Sequence, residues 1–238
     1  MKINKTALKI TLISLVTLMA LVLVGFYIYA SDYSRSDYNA LKAFSTGTKL
    51  VQNDEAMMAF RAPTEDLKDT AVIFYPGGKV QYSAYAPLLT QLSNEGITCV
   101  LLKMPLNLAV FDINAADKVY SNMPEIKNWY LAGHSLGGAM ASSYMGKNSA
   151  KVKGLILLGA YPVNASSVPT LAIYGSEDIA LDKTKLETAT NKLEIIGGNH
   201  AQFGNYGEQK GDGQASIFRE EQQKIAVKEI VKFIKSPR

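Results

Sequence analysis

Hydrophobic positions along the chain fall into three regimes. Residues 10–30 are almost wholly apolar and carry no charge, a run close to the roughly 20 residues an α-helix needs to cross a bilayer. Residues 31–38 are mostly polar and uninterrupted by apolar runs (Ser-Asp-Tyr-Ser-Arg-Ser-Asp-Tyr). Beyond about residue 45 the pattern changes again: short, continuous apolar runs alternate with stretches whose apolar residues recur at helical spacing. Runs at 70–75, 97–104, 129–132, 152–160, 170–174 and 192–196 read as strands, most of them apolar on both faces, as in a covered parallel sheet. Segments 49–52 and 56–61 read as an opening hairpin. Between the strands, 82–94 carries Tyr85, Leu88, Leu89 and Leu92 at helical spacing, with Gly96 as its stop. Helices are also expected over 108–120, 136–145, 181–190 and 216–235, the last amphipathic through Phe218, Ile225, Ile230 and Ile234. Strands that alternate with helices predict an α/β fold, a mostly parallel sheet with helices on both faces.

The first regime divides the chain of 238 residues into a basic stub at 1–9, a transmembrane signal anchor at 10–30, a tether at 31–44 and one folded domain at 45–238. Lys2, Lys5 and Lys9 precede the apolar run, and Phe26, Tyr27 and Tyr29 collar its far end. Retention of the lysines in the cytoplasm predicts a single-pass protein of the cell membrane with its domain extracytoplasmic. A cleaved signal peptide has a shorter core, about 7–15 residues, and ends in small residues; Ile28-Tyr29-Ala30 does not fit that ending. The net charge of +4 resides mainly in the first 36 residues, so the domain is near neutral and presents no nucleic-acid footprint. The one cysteine, Cys99, lies inside a predicted buried strand and reads as a structural thiol. Asn164-Ala165-Ser166 matches a glycosylation sequon by chance.

Glycine-rich or polar features follow the strands ending near 75, 132, 174 and 196, and chemistry in such sheets gathers at the C-terminal strand ends. The central feature is Gly133-His134-Ser135-Leu136-Gly137, a Gly-x-Ser-x-Gly turn between a strand and a helix of small residues. Such a turn holds the serine at the tip of a tight bend, and bulkier residues two positions to either side would clash. A serine hydroxyl needs a base, and the base an orienting acid. The chain has two histidines. His134 sits inside the turn, where its side chain should point away from Ser135, which leaves His200, on the loop after the last strand. Asp178, just past the strand at 170–174, is the expected acid; Glu177 is its rival, and Asp182 fits better as a helix cap. Ser135, Asp178 and His200 follow the Ser…Asp…His order of this arrangement. Oxyanion donors are expected at the N–H of Leu136 and on the loop Pro76-Gly77-Gly78-Lys79, at Gly78 with Lys79 as second choice.

Tyr75-Pro76-Gly77-Gly78-Lys79-Val80, the segment Lys103-Met104-Pro105-Leu106-Asn107-Leu108-Ala109, the Gly133–Gly138 turn and the long run from Gly197 to Gly207 together resemble the α/β-hydrolase superfamily. The likeness covers nearly everything from about residue 45, and within it the chain is similar to small bacterial hydrolases of the dienelactone-hydrolase-like branch. The resemblance implies the same triad. It departs at Pro76-Gly77, where many relatives have His-Gly. Relatives with a lid insert it between the strands at 152–160 and 170–174, where only a short loop stands here, so no large lid domain is expected. Lys79, Tyr82, Phe203 and Tyr206 are expected to line the substrate site, with Tyr85 close by. The expectation is a membrane-anchored serine hydrolase that cleaves a carboxylic ester or related acyl bond in a small-molecule or acyl-ester substrate through an acyl-enzyme on Ser135, with no metal and no organic cofactor. An acyltransferase using the same triad, or a non-catalytic surface binding protein of the same fold, are the alternatives.

Overall fold

The computed structural model describes residues 5–52, 55–63 and 67–236. Two compact units divide the chain, Met1–Tyr33 and Ser34–Arg238. The first is a single helix, α1 (Lys5–Ser31). Its span Thr6–Ser31 has a mean hydropathy of 2.4 and is long and apolar enough to cross a membrane. Part of the expected basic stub, residues 1–4, lies outside the described residues.

The second unit is built on an eight-stranded sheet: β1 (Thr48–Gln52), β2 (Glu55–Phe60), β3 (Thr70–Tyr75), β4 (Thr98–Leu102), β5 (Asn128–His134), β6 (Gly154–Leu158), β7 (Thr170–Gly175) and β8 (Asn191–Ile195), in the order β1-β2-β4-β3-β5-β6-β7-β8. β2 pairs antiparallel with β1 and β4, and the pairs from β4 through β8 are parallel. The helices are α2 (Tyr38–Phe44), α3 (Ala86–Asn94), a single turn α4 (Asp117–Tyr120), α5 (Leu136–Asn148) and α6 (Arg219–Lys235). β3 is buried along its whole length. Its residues alternate between two cores, Val72 and Phe74 packing with α3 and α6, and Ala71, Ile73 and Tyr75 packing with α5 and the 104–126 segment. That alternation is the period-2 geometry of a strand covered on both faces. Cys99 is fully buried in the first core, and burial raises its thiol pKa.

Four expectations are corrected. The tether predicted at 31–44 is folded from Ser34 onward: Asp37 caps α2 by accepting a hydrogen bond from the Ala40 N–H (2.8 Å), and the Phe44 ring meets Tyr82 edge-on at 5.2 Å. The helix predicted at 108–120 is a 3₁₀ turn at Ala109–Phe111 and the single turn α4. Segment 181–190 forms a 3₁₀ helix, Lys183–Thr188, capped as expected by Asp182. Phe218, assigned to the apolar face of the last helix, lies before α6 and is exposed.

Candidate active site

β5 and α5 meet at Ser135, whose backbone is at φ 51°, ψ −124°, a strained conformation for a residue with a side chain. The bend is held by the Ser135 N–H, which donates to the Leu158 carbonyl at 3.0 Å. Its glycines do what the pattern requires of them. A β-carbon at Gly133 would lie 2.6 Å from the Gly137 carbonyl carbon, and one at Gly137 would collide with the carbonyls of Tyr75 and Pro76. The start of α5 therefore abuts the loop after β3.

Asp178 lies just beyond β7 and is almost wholly buried. Its Oδ1 accepts from the N–H groups of Ala180 (3.1 Å) and Leu181 (3.0 Å), and its Oδ2 pairs with His200 Nδ1 at 2.8 Å. A carboxylate can only accept, so Nδ1 carries a proton, and in the neutral ring it is Nε2 that presents the lone pair. Glu177, the rival acid, instead accepts from the Ser176 hydroxyl. The His200 loop is held by Asp212, which accepts from the N–H groups of His200 (3.1 Å) and Ala201 (2.8 Å). Ser135 and His200 line one cavity of about 330 Å³, together with Leu136, Tyr161, Leu181 and Gln209. Ser135 Oγ and His200 Nε2 are not hydrogen-bonded to each other; such contacts commonly tighten only with substrate present.

Leu136 packs on Gly78: a β-carbon at Gly78 would come within 2.7 Å of Leu136 Cδ2. Among the described residues neither the Gly78 nor the Leu136 N–H donates a hydrogen bond, whereas the Lys79 N–H is committed to the Asn107 carbonyl at 2.8 Å. Of the two loop N–H groups, that of Lys79 is thus already spent on the backbone.

His134 ties the parts together. Its Nε2 lies 3.1 Å from the His200 carbonyl and its Nδ1 2.8 Å from the Tyr85 hydroxyl, which also accepts the Gly77 N–H at 3.0 Å. The carbonyl forces the proton onto Nε2, so Tyr85 donates to Nδ1. One buried chain thus joins the loop after β3, the serine turn and the His200 loop. Burial first, then the nearby His200, holds the His134 pKa well below the ordinary histidine value.

The expected substrate-contacting residues do not line the cavity. Phe203 is fully buried in the core; Tyr206 is buried, its hydroxyl on Gln209 at 3.0 Å; Tyr82 packs on Phe44; and Lys79 is outside the lining. Tyr161, Leu181 and Gln209 line it instead. Gly159 is a further residue that sequence reading missed. It sits at φ 52°, and a β-carbon there would lie 2.8 Å from His200 Nδ1 and 3.1 Å from Asp178 Oδ2. A glycine directly after an apolar strand at the active edge was its only signal.

Comparison with known proteins agrees with this architecture. A search of curated proteins finds no match. Among solved structures, Est1E from Butyrivibrio proteoclasticus superposes with a TM-score of 0.57 at 14% identity, over 81% of this chain and 100% of that one. A dienelactone hydrolase from Anabaena variabilis gives 0.57 at 17%, over 81% and 100%. Thermogutta terrifontis esterase 2, phosphonylated by sarin, gives 0.57 at 13%, over 82% and 98%. At such identities the likeness is one of fold. The family model for alpha/beta hydrolases matches residues 71–224, from β3 into α6 and through every residue of the site just described, and the chain belongs to the alpha/beta hydrolase family.

Proposed function

We propose that the protein is a serine hydrolase that cleaves a carboxylic ester through an acyl-enzyme on Ser135. The observation that carries this reading is the buried Asp178–His200 pair, with Nδ1 protonated by geometry, on the same cavity as a serine in a strained turn. His200 Nε2 takes the proton from Ser135 Oγ as Oγ bonds to the ester carbonyl carbon. The oxyanion forms against the Leu136 and Gly78 N–H groups. Collapse breaks the bond to the alkoxy oxygen, which leaves as the alcohol with the proton from His200. Water, deprotonated by His200, then attacks the acyl-enzyme and releases the acid with Ser135 restored. Asp178 holds the imidazole in the required tautomer and stabilises its protonated form. Two of the fold neighbours, a dienelactone hydrolase and an esterase phosphonylated by sarin, are in keeping with acyl chemistry on a small molecule.

The membrane part of the proposal rests on α1. Its apolar length, the lysines ahead of its apolar run and the aromatic collar at its end support an uncleaved anchor with the domain on the extracytoplasmic side.

A fluorophosphonate probe tests the catalytic reading directly. Wild type should be labelled covalently and Ser135→Ala should not. Folded wild type that resists labelling, with no turnover of aryl esters, would leave a binding protein of the same fold as the better description.

A further inference from the structure

Two observations concern the edge of the sheet that carries Ser135; the inference built on them rests on the anchored-hydrolase reading above. The first concerns where the chain enters the domain. Ser34 is stitched to the loop after β3: its N–H donates to the Lys79 carbonyl at 2.8 Å, and the Gln81 N–H donates to the Ser34 carbonyl at 2.8 Å, a parallel bridge opposite Val80. Ser31 is the last residue of α1. A trans peptide chain spans at most about 3.6 Å per residue, so the three steps from Ser31 to Ser34 reach about 11 Å. A bilayer that holds α1 up to its end is therefore within that reach of Ser34, the residue paired with the loop that bears Gly78.

The second observation is where the domain leaves apolar side chains in water. Among the described residues of Ser34–Arg238, nine large hydrophobic side chains are exposed, and six of these (Leu106, Val110, Phe111, Val163, Ile179 and Ile196) stand on the loops that leave the C-terminal ends of β4, β6, β7 and β8. Ile179 and Ile196 are 71% and 73% exposed. The parallel strands bring all four loops to the edge at which Ser135 and its cavity lie. Isolated exposed hydrophobics are ordinary; their concentration on one edge, beside the attachment of an apolar helix, is not. Such side chains gain by entering the boundary between headgroups and acyl chains, as those of interfacial proteins do.

We propose that this edge seats on the bilayer holding α1, and that the site draws its substrate from that bilayer: an amphipathic acyl ester whose carbonyl lies at headgroup depth. The ester reaches Ser135 without first dissolving in water, and its alcohol and acid leave by the reaction given above.

The test uses the full chain reconstituted in vesicles of phosphatidylcholine and phosphatidylglycerol. The chain's one tryptophan, Trp129, is buried and supplies a baseline. Phe111→Trp adds a reporter on the exposed edge, and phosphatidylcholine brominated near the headgroup end of its acyl chains should quench it at least twofold more than the wild-type signal. A double variant, Phe111→Ser with Ile196→Ser, should lose tenfold or more in turnover of 4-methylumbelliferyl oleate partitioned into the vesicles, while p-nitrophenyl acetate turnover stays within twofold. No added quenching overturns the docking. Equal losses on the two esters overturn the bilayer as substrate source. Failure of the chain to float with vesicles overturns anchor and docking together. Ester turnover unchanged by Ser135→Ala removes the hydrolase reading and the substrate assignment with it, and the quenching result then decides the docking by itself.

Discussion

A β-carbon at position 159 would meet the His200 imidazole and the Asp178 carboxylate at once, and φ 52° there already disfavours any side chain. Gly159→Ala should therefore lower kcat by about 100-fold, the scale of a 1 Å misplacement of a catalytic group, and should slow fluorophosphonate labelling in parallel while the circular dichroism spectrum is retained. His134 acts through charge rather than volume. It is held neutral by burial with its pKa depressed, so below about pH 6.5 the unfolded chain takes up a proton that the folded one does not. Stability must fall as pH falls through that region, with a slope of about 1.4 kcal/mol per pH unit for one such group. Urea unfolding at pH 7 and pH 5.5 should show this loss in wild type and a smaller one in His134→Gln. Ser135, Asp178 and His200 were legible as candidates because each follows a strand and they occur in a recognised order. Gly159 was not, since its role exists only through the two side chains that fold against it. Phe203 and Tyr206 misled for the complementary reason: nearness to His200 in sequence says nothing of which face they turn to, and both are buried.

The segment after α1 shows what an element can conceal. Polar and short, it reads as a tether, yet Asp37 accepts from Ala40 at the start of α2, from the Asn205 side chain at 3.2 Å and from Arg219 at 3.2 Å, while its own N–H donates to the Asn205 carbonyl at 2.9 Å. Ser36 adds a hydrogen bond to Ser83 at 2.7 Å. The segment thus joins the loop after β3, α6 and the end of the His200 loop. Asp37→Ala removes a helix cap, worth about 0.5–2 kcal/mol, and strips Asn205 and Arg219 of a partner. It should lower the urea midpoint accordingly, and a fragment begun at residue 45 should be less stable than one begun at Ser34. The missed helix at 108–120 is the same lesson reversed. The buried Tyr75 hydroxyl donates to the Ile113 carbonyl at 2.8 Å and accepts from the Ala116 N–H at 3.1 Å, and Lys118 pairs with Asp112 at 2.6 Å. Long-range partners satisfy the backbone groups that a helix would otherwise pair internally.

For the whole molecule, the division at Tyr33 and Ser34 has a direct consequence. The domain owns two cores of its own, so residues 34–236 should fold and stay in solution without detergent. The full chain should remain in the membrane pellet after an alkaline carbonate wash; its release would contradict the anchor. The alternation of apolar runs and helical periodicities, the strained serine turn and the apolar helix were all written in the sequence by itself, because each depends on neighbours within a few residues. The fold class and the edge at which the candidate site lies follow from these. Tertiary structure alone decided which side chains line the cavity, that His134 and Tyr85 bind three loops into one network, and that the polar segment after α1 belongs to the domain. These depend on contacts between residues tens to more than a hundred positions apart, such as Tyr85 with His134 and Asp37 with Arg219, which local pattern does not encode.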